Sequence, residues 1–453
     1  MEYLGLNEIR GSLIFVEGVE GAAYDEIVAV KMAGEVRTGR VIQLQKDIAT
    51  VLVFEGTSGL STGAAVKFMG RQLQIGLSTE MLGRVLDGMG RPKDGLGRIF
   101  PALHREVAGA ATNPTTRIYP RNFINTGFSA IDGLATLVRG QKLPIFSAEG
   151  LPHDRLAAAI ATRASLTPSD EHHRGYPMNA DKSPQAQFGH PKPNNGEKFA
   201  VVFAAMGIST DTAEYFRRTF TESGQFSRTV MFLNMAHDPP AERLITPRLA
   251  LTTAEFLAYD HNYHVLVVLT DMTAYAEALR EVASARGEIP GRKGFPGYMY
   301  SDLASLYERA GLRRSAGGSV TQLPILTMPG DDITHPVPDL TGFITEGQIV
   351  LCRAMHARGV FPPVNPLPSL SRLMKDAAVS QEHPRIAARL FANYAAAVAA
   401  RELAAVVGEE DMSEEEKSSL AFGRKFEEEF LHQGDTARSM DETLKIAGDI
   451  LGD

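Results

Sequence analysis

Apolar residues fall into three textures along the chain. Up to about residue 70, short Val- and Ile-rich runs (EIVAV, EVRTGRVIQLQ, ATVLVFEG) alternate partly with polar positions, and Gly34, Gly39, Gly56, Gly59 and Gly63 punctuate them. Such spacing predicts short antiparallel strands and a small barrel or sandwich. The runs then become continuous: KLPIFSA, FAVVFAAMG and YHVLVVLTD each lead into a helical pattern. Continuous apolar strands alternating with helices predict a parallel sheet covered on both faces. The last ninety or so residues read as helices. HPRIAARLFANYAAAVAARELAAVVG stops at Gly408, Ser413 with Glu416 and Ser439 with Glu442 form capping-box patterns, and Leu420, Phe426 and Phe430 fall near one face. The reading is an α/β chain with an N-terminal β-barrel over 1–72, a central parallel-sheet domain over 73–364 and a C-terminal helical domain over 365–453.

One stretch breaks the pattern. Residues 167–198 are polar and carry five prolines together with His172, His173 and His190. A polar run this long inside a compact domain reads as a surface insertion. Its histidines are taken as solvated, and no metal site is expected. Over all 453 residues the formal net charge is −8, which argues against a protein whose main task is coating nucleic acid. The single Cys352 excludes an intrachain disulfide and fits a reducing compartment. No apolar run approaches about 18 residues, so no direct membrane insertion is expected. MEYLGLNEIRGSL has acidic residues where a signal peptide needs basic ones. A soluble cytoplasmic protein is the resulting expectation.

The junction of KLPIFSA with the helix HDRLAAAIATRAS is where a phosphate-binding loop GxxxxGK[ST] would stand. The eight positions read Ser147, Ala148, Glu149, Gly150, Leu151, Pro152, His153 and Asp154. The two motif glycines are Ser147 and Pro152, the lysine is His153 and the hydroxyl residue is Asp154. Pro152 has no N–H to offer a phosphate. His153 is largely neutral near pH 7. Glu149 and Asp154 bring negative charge towards a polyanion, which Arg155 is expected to offset in part. Taken alone, the segment reads as an ordinary strand–helix turn. After the second strand, Ile208 follows Gly207 and has no group to activate water. The third strand ends in Asp271, where folds of this kind place a Mg²⁺-associated carboxylate, although many strands end in Asp.

Longer segments carry a family resemblance. TGFSAIDGLATLVRGQKLPIFSAEGLPH, FPGYMYSDLASLYERAG, DDITHPVPDLTGFITEGQI and LPSLSRLMK occur in order along nearly the whole chain. The sequence resembles the B subunits of rotary V-type and archaeal-type ATPases, the non-catalytic nucleotide-binding chains. The resemblance implies a RecA-like P-loop-type central domain and a ring of three B and three catalytic A subunits. It also implies contacts with central-shaft and peripheral-stalk subunits, and coupling of ATP turnover to proton or sodium transport. The complex would be cytoplasmic and peripheral to the membrane. ATP or ADP with Mg²⁺ is expected at the interface with the catalytic partner, and the chain's own site is expected to be weak or empty. The other readings are a pseudo-ATPase scaffold and a self-sufficient hexameric motor of the export or Rho type. His153 and Ile208 argue against the motor.

By the same resemblance, Arg372 in PSLSRLMK matches the arginine supplied in trans to the partner's ATP. Without it, Arg372 reads as a surface residue paired with an acid. Phosphoryl transfer to water spreads charge over γ-phosphate oxygens, and a fixed guanidinium fork answers that charge. Pro368 is placed to stiffen the segment, Pro366 departs from the aliphatic residue usual there, and Lys375 lies one turn beyond. Tyr298, Tyr300, Tyr307, Glu308 and Arg309 are expected in the core and at subunit interfaces.

Overall fold

The computed structural model describes residues 2–32, 34–109, 114–166 and 196–452. The insertion expected over 167–198 therefore lies, as far as residue 195, outside the described residues. Lys198 already opens the strand Lys198–Ile208.

The N-terminal strands pair antiparallel into one seven-stranded sheet from Glu2–Leu4 to Ala65–Phe68. Both faces of these strands are used, which is why the sequence alternates only partly. Ile14, Val28, Val41, Val51 and Val53 fill the inside of the curled sheet. Their neighbours Leu13, Ile27, Ile42, Leu52 and Phe54 point the other way, into the core shared with the central domain. A one-residue slip in register would exchange the two sets.

The central sheet runs, edge to edge, Val364–Ser371, Gly347–Leu351, Ile145–Ala148, Ser319–Met328, Tyr263–Thr270, Lys198–Ile208, Thr229–Met235 and Arg84–Asp87. All its neighbouring strands along this path are parallel except the first pair. Val201, Phe203 and Ala205 feed one core, while Ala200, Val202, Ala204 and Met206 feed the other. Two buried faces explain the unbroken apolar runs.

The strand Val364–Ser371 belongs to this sheet, so the expected division after residue 364 falls at its head rather than at its end. Asn365 pairs with Val350 and Leu370 with Gln348, which leaves residues 366–369 as a bulge. Pro366 and Pro368 sit where no ladder N–H is needed. Ser369 repairs the ladder: its Oγ accepts from Val350 N at 2.9 Å and donates to the Asn365 carbonyl at 2.6 Å.

The C-terminal helices His383–Val407, Glu414–Lys425 and Met440–Leu451 pack together. Both capping boxes form, and Gly408 caps the first helix at φ 86°. The expected apolar face is corrected in one member. Phe422, Phe426 and Phe430 stack with centroids 5.9 and 5.2 Å apart, whereas Leu420 buries elsewhere, against Ala400 and Met412. Among the described residues, one helix, His383–Val407, is long and apolar enough to cross a membrane, a property that uninterrupted run length does not reveal. Its stripe of Ala387, Leu390, Tyr394, Ala397 and Ala400 is buried in the domain.

Candidate functional site

Two segments singled out by the sequence lie at opposite ends of the strands of the central sheet. The loop from Ser147 to Asp154 follows the C-terminal end of Ile145–Ala148 and leads into the helix His153–Arg163. Arg372 follows the antiparallel edge strand, so it emerges where the parallel strands begin, with Ser371 opposite Gly347. Ile145 is level with Ile349, so the two segments lie roughly 17 Å apart along the strands at about 3.3 Å per residue.

The loop is closed on itself. Leu151 N donates to the Ala148 carbonyl at 3.0 Å and His153 N to the Leu151 carbonyl at 2.8 Å. Pro152 between them has no N–H. A phosphate cradle needs these donors turned inward together. Gly150 makes the turn at φ +79°. Ser147 Oγ and His153 Nδ1 share a 3.1 Å hydrogen bond, and His153 Nε2 is 3.7 Å from Asp154 Oδ1.

Asp271 is partly buried and caps the helix Met272–Ala285. Its carboxylate accepts from Thr273 N at 2.7 Å, Thr327 N at 3.2 Å and Thr327 Oγ1 at 2.5 Å. Burial raises its pKa, with the Thr327 hydroxyl opposing. Burial also raises that of Asp154, with His153 opposing and Asp271 adding. Both shifts favour the neutral acid, which softens the repulsion expected from Asp154. Ile208 is buried beside Gly207, whose N–H donates to Asn234 Oδ1 at 3.1 Å.

Arg155 does not offset the loop's acids as expected. It is drawn to the C-terminal domain, where it forks onto Asp435 at 2.7 and 3.3 Å and lies 3.9 Å above the Phe361 ring. Arg353, which the sequence reading missed, holds the loop instead. Its Nη2 donates to the Glu149 carbonyl at 2.8 Å, and Nε and Nη2 fork onto Asp331. These residues do not fit a Mg-nucleotide in the usual manner: the N–H groups of Leu151 and His153 are turned onto loop carbonyls, Pro152 has none, the lysine is missing and the carboxylate is occupied. Among the described residues, no three His, Cys, Asp or Glu side chains gather as a metal would require.

The Arg372 segment is built in the opposite sense. Its backbone N donates to the Glu346 carbonyl at 2.9 Å. Buried Gln141 donates through Nε2 to Ser371 Oγ at 2.9 Å and to the same Glu346 carbonyl at 3.3 Å. Leu373 is buried with Phe123, Val138, Ala377 and Met440. Lys142, also buried, ties Glu308 at 2.8 Å to Glu346 at 2.9 Å. Arg372 itself is exposed, and among the described residues its guanidinium has no hydrogen bond or ion pair. The surface-pair reading of Arg372 thus finds no acid here. Lys375 is exposed nearby.

The remaining singled-out residues divide. Tyr307 is fully buried, and Arg309 is buried in a two-point pair with Glu255, both contacts at 2.8 Å. Tyr298 and Tyr300 are at the surface, and Glu308 is half-exposed.

Residues 127–371 match the ATP synthase alpha/beta family, nucleotide-binding domain. Residues 7–70 match the beta-barrel domain of that family, and residues 374–452 match the C-terminal domain of V and A type ATP synthase. The chain is 52% identical over 457 aligned positions to the B subunit of an A-type ATP synthase from Aeropyrum pernix, covering 99% of this chain and 93% of that one. The chain belongs to the family of B subunits of A- and V-type ATP synthases. A V-type ATP synthase beta chain 2 of Clostridium tetani is 51% identical over 99% of this chain and 94% of its own length. A solved ATP synthase chain, NeqB from Nanoarcheaum equitans, is 35% identical with a TM-score of 0.73, over 97% of this chain and 98% of that one. The central region is thus a nucleotide-binding domain of the P-loop, RecA-like class. As a B-type chain with His153 and Asp154 in its loop, it is non-catalytic on its own. Family membership implies assembly with catalytic A subunits and stalk components.

Proposed function

We propose that this chain alternates with three catalytic A subunits in a three-plus-three ring and presents Arg372 across the boundary to the partner's ATP. Stabilising the charge on the transferring phosphoryl group in this way couples ATP turnover to proton or sodium movement elsewhere in the complex. The observation that carries the reading is Arg372 itself, an unpaired guanidinium on a fixed segment at the other end of the strands from the chain's own loop. A side chain about 17 Å along the strands from that loop serves a site on another chain. The guanidinium presents a planar fork of donors. Gln141, Glu346 and Leu373 hold its backbone before nucleotide arrives, so little ordering remains to be done at the moment of reaction.

Under this reading ATP or ADP with Mg²⁺ is held at the interface by the catalytic partner, and the loop of Ser147 to Asp154 with Asp271 is a vestigial site. The complex is cytoplasmic and peripheral to the membrane. ATP hydrolysis should be undetectable with this chain alone and should appear when it is mixed with catalytic partner. Sustained turnover by the chain alone would mean the self-sufficient motor instead.

A further inference from the structure

The barrel and the central domain enclose a cavity of about 320 Å³, within the range of small-molecule sites. Three guanidinium groups reach it from separate elements: Arg40 from the barrel strand Glu35–Gln45, Arg248 from the helix Pro240–Tyr259, and Arg286 at the end of Met272–Ala285. Tyr24 and Tyr298 stand at its sides, over a floor of Leu and Val.

The three arginines are unequally satisfied. Arg248 is answered by Asp302 at 2.7 Å and by Ser305 at 3.3 Å. Arg286 Nη1 meets Glu288 at 2.7 Å, but its Nε is buried without a hydrogen-bond partner among the described residues. Arg40 is the least satisfied. Its guanidinium makes no hydrogen bond among the described residues, its Nε is buried, and Asp25 approaches that atom only to 3.6 Å. Burial pushes the pKa of Arg40 down, Asp25 opposes this, and Arg248 adds to it. Buried donors without acceptors are rare in folded chains and call for a partner.

We propose that this cavity binds a small phosphate-bearing anion, held by the guanidinium groups of Arg40 and Arg286. Phosphate oxygens match the planar forks and supply acceptors for the Nη groups of Arg40, which make no hydrogen bond among the described residues. The tyrosine sides and apolar floor receive an organic portion. Because Arg40 belongs to the barrel and Arg286 to the central domain, the bound anion fastens one to the other. The site is separate from the loop: Met272–Ala285 begins at Asp271 and ends at Arg286, roughly 20 Å away at about 1.5 Å per residue.

The test is calorimetric titration of the full chain with inorganic pyrophosphate, phosphate and phenyl phosphate at constant ionic strength, with thermal unfolding in parallel. Saturable one-to-one binding is expected, with a raised unfolding midpoint and phenyl phosphate tighter than phosphate. Arg40→Gln and Arg286→Gln should each weaken it by about tenfold or more. Arg40→Lys keeps the charge and the fold but loses the fork, and should weaken it several-fold. His153→Ala should leave it unchanged. Absence of saturable binding, binding undiminished in the arginine variants, or binding lost with His153→Ala would each overturn the proposal.

Discussion

The two ends of the central sheet's strands have gone opposite ways. At one, the loop of Ser147 to Asp154 turns the N–H groups of Leu151 and His153 onto its own carbonyls, and the Asp271 carboxylate accepts from Thr273 and Thr327. At the other, the backbone around Arg372 is pinned by Glu346 and Gln141 while the guanidinium makes no bond among the described residues. One end has its loop turned onto its own carbonyls, and the other has one donor group held out. Satisfied polar groups stabilise a fold, whereas an unsatisfied group on a fixed backbone is available for work on a partner. On the proposed function, the contrast is between a nucleotide-binding fold's own closed loop and an arginine held out for a partner's site.

The contrast can be broken most sharply at Arg372 by a change that keeps charge and loses shape. Arg372→Lys should lower ATP turnover of the assembled complex by roughly a hundredfold, since an ammonium cannot bridge two oxygens as a fork does. Assembly, followed by gel filtration, should be unchanged. A near-normal rate would show that charge alone suffices.

A smaller loss is expected from the residue that aims the arginine. Gln141→Ala leaves Arg372 in place but frees Ser371 and the Glu346 carbonyl. Turnover should fall about tenfold or more through kcat, with KM for ATP little altered, because misplacement costs the transition state most. An equal rise in KM would point to a damaged interface.

At the other end of the strands, Pro152→Gly with His153→Lys and Asp154→Thr restores donors, charge and hydroxyl to the loop. Calorimetry on the isolated chain should show Mg-ATP binding tightened by about tenfold or more, as expected for a regained charge-assisted phosphate contact. Hydrolysis should not appear, because Ile208 still has no base to offer. Turnover in this variant would place a base that the account has missed.

The smallest effect belongs to a pair that serves the fold alone. Arg84 forks onto Asp94 at 2.6 and 2.9 Å at the far edge of the sheet, and this bond to the guanidinium holds the Asp94 carboxyl down at about 2. A carboxylate lowered on folding adds stability above its ordinary value near 4, and that stability is lost as pH falls towards 2. Asp94→Asn should therefore cost about 1–2 kcal/mol at pH 7, with the gap closing below about pH 4. Urea midpoints of both chains across that range would check it, and a constant gap would contradict the assignment.

How far the sequence can be read follows from the range of the signals. Strand faces and capping boxes are local, so Val201 against Val202, or Ser439 with Glu442, are legible from spacing alone. The departures of Ser147 to Asp154 from GxxxxGK[ST] are local too, but only the longer family-like segments around them mark the place as one for a phosphate loop. Contacts between distant segments are not legible. Gln141 and Ser371 are 230 residues apart, and Arg353 and Glu149 are 204 apart; no periodicity announces either pair. Arg155 is misjudged from sequence because a charge near a loop in the chain can turn to a nearer acid in space, here Asp435. The edge strand is hidden by Pro366 and Pro368, whose bulge interrupts the alternation a strand normally shows.

The central claim is that Arg372 acts in trans, and it is tested most directly by ATP hydrolysis of this chain mixed with its catalytic partner, with and without Arg372→Ala. No turnover is expected from this chain alone, turnover in the mixture, and a loss of about a thousandfold or more in the variant although the complex still assembles. Full activity with Arg372→Ala in an intact complex would contradict it and leave the chain as a scaffold.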